Sequence, residues 1–360
     1  MRLSVLTPSL ALAAALALPM AHPSADTGSG PQPRLEIVRA ATARIVFREG
    51  QHMALFTGAE LAYGELTLIA ERIEHNSLEQ TVTLSGSARL HTPEYTLNTA
   101  ECSVDLATGH VSADSGLELI NSAEGVTLTA ERGSFWAEPA GNRVLRAELA
   151  GGIIAQWDKG ITLQGGLLES DFVRREHFLA GGFTGTVSPA LLPPPLSKLS
   201  GGELILSGRD LTARLEEGMP ERFHVAASAV RIDGEKLGLC GPDLKARLTL
   251  ADDGEPLAEN GMLRLSGPAG EPVSGWLLDE QGERVSFSAQ SIEKAAGSNE
   301  LVLKKDVLVT GPDFSLRAQA VSVFQEEQGF RVTIPQRFRV VISPKALQMR
   351  SSLSDRSKDA

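Results

Sequence analysis

The chain repeats itself at a fixed spacing, and no other feature limits its fold so strongly. Leu66-Thr67-Leu68-Ile69-Ala70-Glu71-Arg72 aligns with Val126-Thr127-Leu128-Thr129-Ala130-Glu131-Arg132. Tyr95-Thr96-Leu97-Asn98-Thr99-Ala100-Glu101 falls between them, so alanines stand at 70, 100 and 130. Later copies, Val285-Ser286-Phe287-Ser288-Ala289 and Phe314-Ser315-Leu316-Arg317-Ala318, are 29 residues apart. A period of roughly 20 to 50 residues marks a chain of stacked units, each too small to bury its own apolar face. The copy at Leu97 holds one more residue between its Leu and its Ala than the other two, an excess that a strand absorbs as a bulge.

Each such segment is followed by a second in which apolar residues take every other place. The first row is Val82, Leu84, Gly86, Ala88 and Leu90, and the next is Val111, Ala113, Ser115, Leu117 and Leu119. The frame returns as Leu301, Leu303, Lys305, Val307 and Val309, and again as Val332, Ile334, Gln336, Phe338, Val340 and Ile342. Period two marks a strand with one face buried, here with Thr67, Thr83, Ser85 and Arg89 facing out. Turn formers such as His75-Asn76-Ser77, Ala107-Thr108-Gly109, Ala140-Gly141-Asn142 and Ala296-Gly297-Ser298-Asn299 lie between paired segments, so the unit is a β-hairpin. Gly86, Ser115, Lys305 and Gln336 at the centres of the rows are places where a strand bends or another chain comes close. Helical periodicity is absent from Leu35 to Ile342, and the one helix expected is a short one near Lys345 to Leu353. The fold class expected is all-β.

Pro193-Pro194-Pro195 cannot donate to a ladder and favours an extended segment, which places a boundary or a long crossing connection there. The expected organisation is a β domain at 35–187, a Pro/Gly-rich linker at 188–202, a divergent β domain at 203–342 and a polar tail at 343–360. Ile161-Thr162-Leu163-Gln164-Gly165 and Leu204-Ile205-Leu206-Ser207-Gly208 keep the alternation with Gly in place of Ala, and Asp252-Asp253-Gly254-Glu255-Pro256 reads as an irregular loop. At the start, Arg2, an apolar core from Leu10 to Leu18 and Pro19-Met20-Ala21 read as a secretory signal peptide, 1–21, before a polar spacer, 22–34. That core is about half the roughly 20 residues of a membrane span, so a cleaved leader is favoured over an uncleaved anchor.

Lys and Arg number 34 against 45 Asp and Glu, a net charge of −11, and no stretch is basic enough to neutralise a run of phosphates, which excludes nucleic acid as a partner. Hydrophobic residues at 42% suffice for a core. Cys102 and Cys240 alone exclude a disulfide scaffold, a multi-Cys zinc module and an iron–sulfur protein. The two could pair in an oxidising compartment, but two separate buried thiols is the plainer reading, because free Cys packs as a small hydrophobe.

Seven histidines, His22, His52, His75, His91, His110, His177 and His224, stand singly, without the spacing of a metal site. Glu71, Glu101 and Glu131 recur at one strand position. They suggest a carboxylate row for a cation or for a carbohydrate-active β-helix, and more simply the solvated outward places of a repeat. Leu84-Ser85-Gly86-Ser87-Ala88 lacks the strand-to-helix turn of a nucleophile elbow. Gly151-Gly152, Gly165-Gly166, Gly181-Gly182 and Gly201-Gly202 precede no helix and read as turns or bulges rather than phosphate loops. No catalytic residue, metal or cofactor is expected.

Taken together, the residues resemble the LptA/OstA-like family of periplasmic lipopolysaccharide transport proteins, which includes LptA, LptC and the N-terminal domain of LptD. The pattern of that family, an apolar-x-apolar-x-Ala-Glu/Asp-x-apolar strand, a turn and then apolar-x-Gly/Ala-x-Gly-x-Val-x-Leu, stands here as Leu66-Thr67-Leu68-Ile69-Ala70-Glu71-Arg72-Ile73-Glu74 and Val82-Thr83-Leu84-Ser85-Gly86-Ser87-Ala88-Arg89-Leu90. The match covers Leu61 to Ala137, with weaker echoes from Ser286 to Ile342. The resemblance implies stacked antiparallel hairpins forming incomplete β-jelly rolls with a V-shaped groove, two in tandem. It implies a non-enzymatic periplasmic bridge whose groove shelters the acyl chains of lipopolysaccharide or a similar glycolipid on the way to the outer membrane. Leu68, Leu84, Ala88, Leu90, Leu97, Leu117, Leu119 and Leu128 become the candidates for the groove lining. Other jelly-roll transport proteins, joined by edge-strand pairing, and further copies of the chain become its partners. The same rows would line any packed β core, so a structural or adhesive cell-envelope β-repeat protein without lipid transport is the alternative. Aromatic residues at 5% are too few for the girdles of an outer-membrane barrel.

Overall fold

A computed structural model describes residues 34–342, apart from 49–50, 123–124, 139–143, 158–160, 188–201, 217–218, 250–261, 269, 279–281, 296–297, 299, 327–328 and 336. The signal peptide, most of the spacer and of the proline linker, the loop at Asp252, the last Gly pair's first residue and the tail with its expected helix lie outside the described residues. Within them there is no helix, and the strand pairings are antiparallel. The chain divides into an N-terminal unit, residues 15–185 with 212–215, and a C-terminal unit, residues 186–211 with 216–360.

The N-terminal unit is a meander of β1 (Leu35–Arg39), β2 (Thr42–Arg48), β3 (Gln51–Tyr63), β4 (Leu66–Asn76), β5 (Thr81–His91), β6 (Tyr95–Asp105), β7 (His110–Ala113), β8 (Leu117–Asn121), β9 (Val126–Ala130), β10 (Arg132–Ala137), β11 (Val144–Trp157), β12 (Ile161–Asp171) and β13 (Glu176–Val187). From β3 to β6 each strand pairs with the next. Then β6 splits its partners, its first half taking β8 and its second half β7. β8 pairs with β9 and β7 with β10, and β9 and β10 rejoin on the two halves of β11.

The C-terminal unit holds β14 (Leu204–Gly208), the ends of β15 (Asp210–Glu216), β16 (Met219–Asp233), β17 (Leu237–Thr249), β18 (Met262–Ser266), β19 (Val273–Leu278), β20 (Arg284–Ala289), β21 (Ser291–Lys294), β22 (Glu300–Thr310), β23 (Phe314–Glu326), β24 (Gly329–Thr333) and β25 (Phe338–Ile342). Its wiring copies that of the first unit. β17 splits onto β18 and β19, these pair with β21 and β20, and both rejoin on β22.

A corner halfway along the long strands explains the split. On β5, Gly86 and Ser87 have φ of +76° and +51° and face Ala100 alone, between the in-register pairs Ser85↔Glu101 and Ala88↔Thr99. Gly151 and Gly152 do the same on β11, at +79° and +53°, and Lys305 and Asp306 on β22, at +59° and +52°. Two residues against one make a bulge, which bends the strand and deepens its twist. Position 86 needs glycine twice over. Its φ is left-handed, and a Cβ there would stand 2.6 Å from Glu71 Oε2 on the neighbouring strand.

The corner also keeps the apolar set inside on both limbs of a strand. In β4, Leu66, Leu68 and Ala70 are buried before it, Glu71 and Arg72 are exposed at it, and Ile73 is buried after it. In β6 the buried series is Leu97, Thr99, Cys102 and Val104, with Ala100 and Glu101 exposed. Thr99, not Ala100, is thus the counterpart of Ala70. The extra residue belongs to the bulge of β5, and aligning the repeat on its alanines shifts the middle copy by one place.

Three further expectations change. The row from Val111 to Leu119 is two strands, parted at Asp114-Ser115-Gly116 by the corner. The row from Val332 to Ile342 is also two strands, β24 and β25, on opposite halves of β23, and Val332, Phe338, Val340, Val341 and Ile342 are exposed because nothing described covers that edge. Of the two thiols, both free, Cys102 is buried and Cys240 exposed.

Candidate functional site

In the N-terminal unit the limbs on either side of the corner fold toward each other. Gly133 of β10 lies so close to Leu117 of β8 that a Cβ would stand 2.6 Å from its methyl carbon. Beside the corner the two limbs are in contact, and Leu84, Ala88 and Leu117 are buried there. Away from it the limbs diverge and leave an apolar cavity, open to solvent. Leu66, Leu90, Leu97 and Leu119 line it from one limb, and Val104, Val111, Phe135 and Val144 from the other.

Of the eight groove candidates, the structure brings Leu90, Leu97 and Leu119 to the cavity; Leu84, Ala88 and Leu117 are packed beside the corner, and Leu68 and Leu128, in the same cross-strand rung as the three, are buried on the flanking strands outside the cavity. Leu119 is half-buried, whereas Leu90 and Leu97 are buried. Sequence reasoning missed Tyr63, Tyr95, Leu106 and Phe135. Phe135 has the same inward alternation, two places after Gly133, and could have been found. Leu106 sits in a turn, where no periodicity applies.

The outer rim is polar and partly strapped. The Tyr63 hydroxyl, at the end of β3, donates to the Leu106 carbonyl in the turn after β6, at 3.0 Å, and burial pushes the phenol above its ordinary pKa. Asp105, at the same rim, accepts from the amides of Ala107 and Thr108 at 2.8 and 3.1 Å. Burial alone would raise its pKa, but the hydrogen bonds from Thr108 and Ala107, with His110 nearby, hold it below the usual range. Asp105 and Glu138 are the charged residues of the lining, and no Lys or Arg is among it. Such a place suits hydrocarbon, with a polar end left outside.

Other sequence candidates have structural explanations. Glu71 and Glu131 each lie over the corner glycine of the next strand, Gly86 and Gly151. Glu101 stands where Arg72 and Arg132 stand, its amide donating to Ser115 Oγ at 3.0 Å, so the three carboxylates form no row. Among the described residues no group of three His, Cys, Asp or Glu could hold a metal ion. Cys102 is an inert thiol, pushed up to about 12 by burial and then by Glu101. His177 on β13 is buried against Phe172, its Nδ1 3.1 Å from Ser170 Oγ.

The terminal edges complete the picture. β2 pairs with β3, and β25 with β23, and among the described residues neither has a second neighbour. Ile45 and Phe47 on β2, and Phe338, Val341 and Ile342 on β25, are exposed.

No protein-family model matches the sequence, and no curated protein matches it. Among solved structures, the chain is similar to the crystal structure of LptH, the LptA homologous periplasmic component of the conserved lipopolysaccharide transport device from Pseudomonas aeruginosa. Identity is 15%, the likeness covers 41% of this chain and 99% of that one, and the TM-score is 0.29.

Proposed function

We propose that the chain is a non-enzymatic lipid carrier of the periplasm, which shelters acyl chains of lipopolysaccharide or a similar glycolipid in transit to the outer membrane. The observation that carries this reading is the apolar cavity between the limbs of the N-terminal unit, with its polar rim. Each methylene removed from water is worth about 0.8 kcal/mol, so an acyl chain laid along the cavity gains affinity without a specific polar contact. The exposed apolar edges at β2 and β25 support partners that add a strand, either other jelly-roll transport proteins or further copies of this chain.

The test is mass spectrometry of lipid extracted from the mature protein, purified from its native envelope without detergent. A stoichiometric multi-chain glycolipid is the expected result. Photo-crosslinkers at Leu97 and Leu119 should capture it, and one at the packed Leu84 should not. A protein that is lipid-free, and stays so when offered lipopolysaccharide, would instead be a structural or adhesive β-repeat of the cell envelope.

A further inference from the structure

The chain is acidic, at −11, yet one outer face of the C-terminal unit is not. The side chains that point away from the core on β16, β17 and β18 alternate with buried Val225, Ala227, Leu244, Ala246, Leu263 and Leu265. They include Arg222 and His224 on β16, Lys245 and Arg247 on β17, and Arg264 on β18. The ladder sets them side by side: His224 opposite Arg247, and Lys245 opposite Arg264. Neighbouring strands are about 4.8 Å apart, and alternate residues of one strand about 6.8 Å, so these groups form a compact planar array.

Three carboxylates enter it, one of them Asp243, exposed on the same face of β17 two places before Lys245. Glu293 pairs with Arg264 at 3.4 Å but shares itself with Lys304, and Glu216 Oε2 lies 3.3 Å from His224 Nε2. Lys245 is exposed and Arg247 half-exposed, and neither has an ion-pair partner among the described residues. Like charges held this close in an acidic protein repel one another, and an anionic partner relieves that repulsion.

We propose that this face is a docking surface for an anionic lipid bilayer, read through the phosphates of its headgroups. The inference is independent of the cavity. Two observations favour a membrane over an acidic peptide. β17 and β18 already have strands bonded on both sides, so a peptide finds no edge to extend and meets only a flat field of side chains. Met262, 42% exposed, lies in the same row as His224 and Arg247, and offers an apolar contact within the cationic field. A charged plane needs no register with such an array, and each Lys or Arg near it adds to binding.

Co-sedimentation of the mature chain with vesicles of phosphatidylcholine, with and without phosphatidylglycerol, tests it. Binding is expected only to the anionic vesicles and should fall steeply with salt. Lys245→Glu with Arg247→Glu should weaken it by roughly 30-fold or more, with the circular dichroism spectrum unchanged. Lys245→Gln with Arg247→Gln, which keeps the bulk and removes only charge, should weaken it less but clearly. A cavity-filling Leu119→Trp should leave vesicle binding intact, and loss in that variant with retention in the charge variants would overturn the proposal. So would a wild-type chain that ignores anionic vesicles. Retention on immobilised polyglutamate without vesicle binding would assign the face to an acidic protein and overturn it equally.

Discussion

The two units share one wiring diagram and differ in what fills it. Val111 faces Phe135 across β7 and β10, and Leu263 faces Lys294 across β18 and β21. Counting from the bulges of β11 and β22, Phe135 and Lys294 hold the same place in the ladder. Phe135 is a wall of the cavity, whereas Lys294 is a buried cation whose pKa burial lowers. By the same count Leu119, another cavity wall, corresponds to Gly275, where the ring of Phe287 takes the space that a Cβ would need. Topology decides where an interior will be. Which ladder positions carry bulk decides whether that interior stays open, so fold and cavity are separable properties of one chain.

The strongest way to break the comparison is to damage one unit and watch the other. Leu149 and Leu303 are equivalent inward residues, 1% and 4% exposed. Leu149→Ala and Leu303→Ala should each cost about 2–5 kcal/mol. If the units are separate cores, calorimetry will show two transitions, each variant lowering a different one. A single transition moved equally by both would show one cooperative body.

Acid should distinguish the units next. Burial, opposed only by Asp171, holds His177 at about 4 when folded, against an ordinary 6.5. Above pH 6.5 the imidazole is neutral in both states and contributes nothing. Between 6.5 and 4 the unfolded chain takes a proton that the folded chain refuses, so stability falls with pH, by about 3 kcal/mol in all. Half-buried His75, lowered by burial and by His52, acts in the same direction. In the C-terminal unit, burial raises Glu293, but Lys304, Ser291 and Arg264 pull it below its usual 4.5, so that unit loses this contribution only as pH drops under 4.5. The N-terminal transition should therefore soften first on acidification, and His177→Leu should flatten its slope.

Smaller effects lie at the corners. Gly86→Ala should cost about 1–3 kcal/mol, from its left-handed φ and from Glu71 above it. Ala229 on β16 has φ of +51°, and Ala229→Gly should gain about 1 kcal/mol, visible as opposite shifts of urea midpoint. Least of all, Tyr63→Phe removes one hydrogen bond at the cavity rim and should cost about 1 kcal/mol while speeding exchange of an acyl probe.

The hairpins were legible because alternation survives on both limbs: Val82, Leu84, Ala88 and Leu90 read as inward, and they are buried. Gly86 at the centre of that row was legible as a bend. The counterpart of Ala70 in the middle copy was not, since the alanine alignment pointed to Ala100 where burial selects Thr99. Period two says that a residue faces the other limb, but not how far away that limb is. Leu68 and Leu119 therefore looked alike in the sequence: they share one cross-strand rung, and only the place of their strands along the sheet separates a packed leucine from a cavity wall. The terminal rows looked half-buried for a related reason, because alternation at Val332 to Ile342 cannot say whether anything covers it.

The corner has a consequence for how such a chain can lengthen over generations. One surplus residue on alternate strands recurs at Gly86-Ser87 and at Gly151-Gly152, and each bulge is fixed by the strands beside it. Duplicating a whole hairpin adds two strands and about 10 Å of interior, with every older ladder left in register. Gaining a single residue within a limb turns all the side chains beyond it to the wrong face. Growth by whole repeats is thus nearly free of structural penalty, while growth by single residues is penalised at once, and the repeat can persist long after its sequence has drifted.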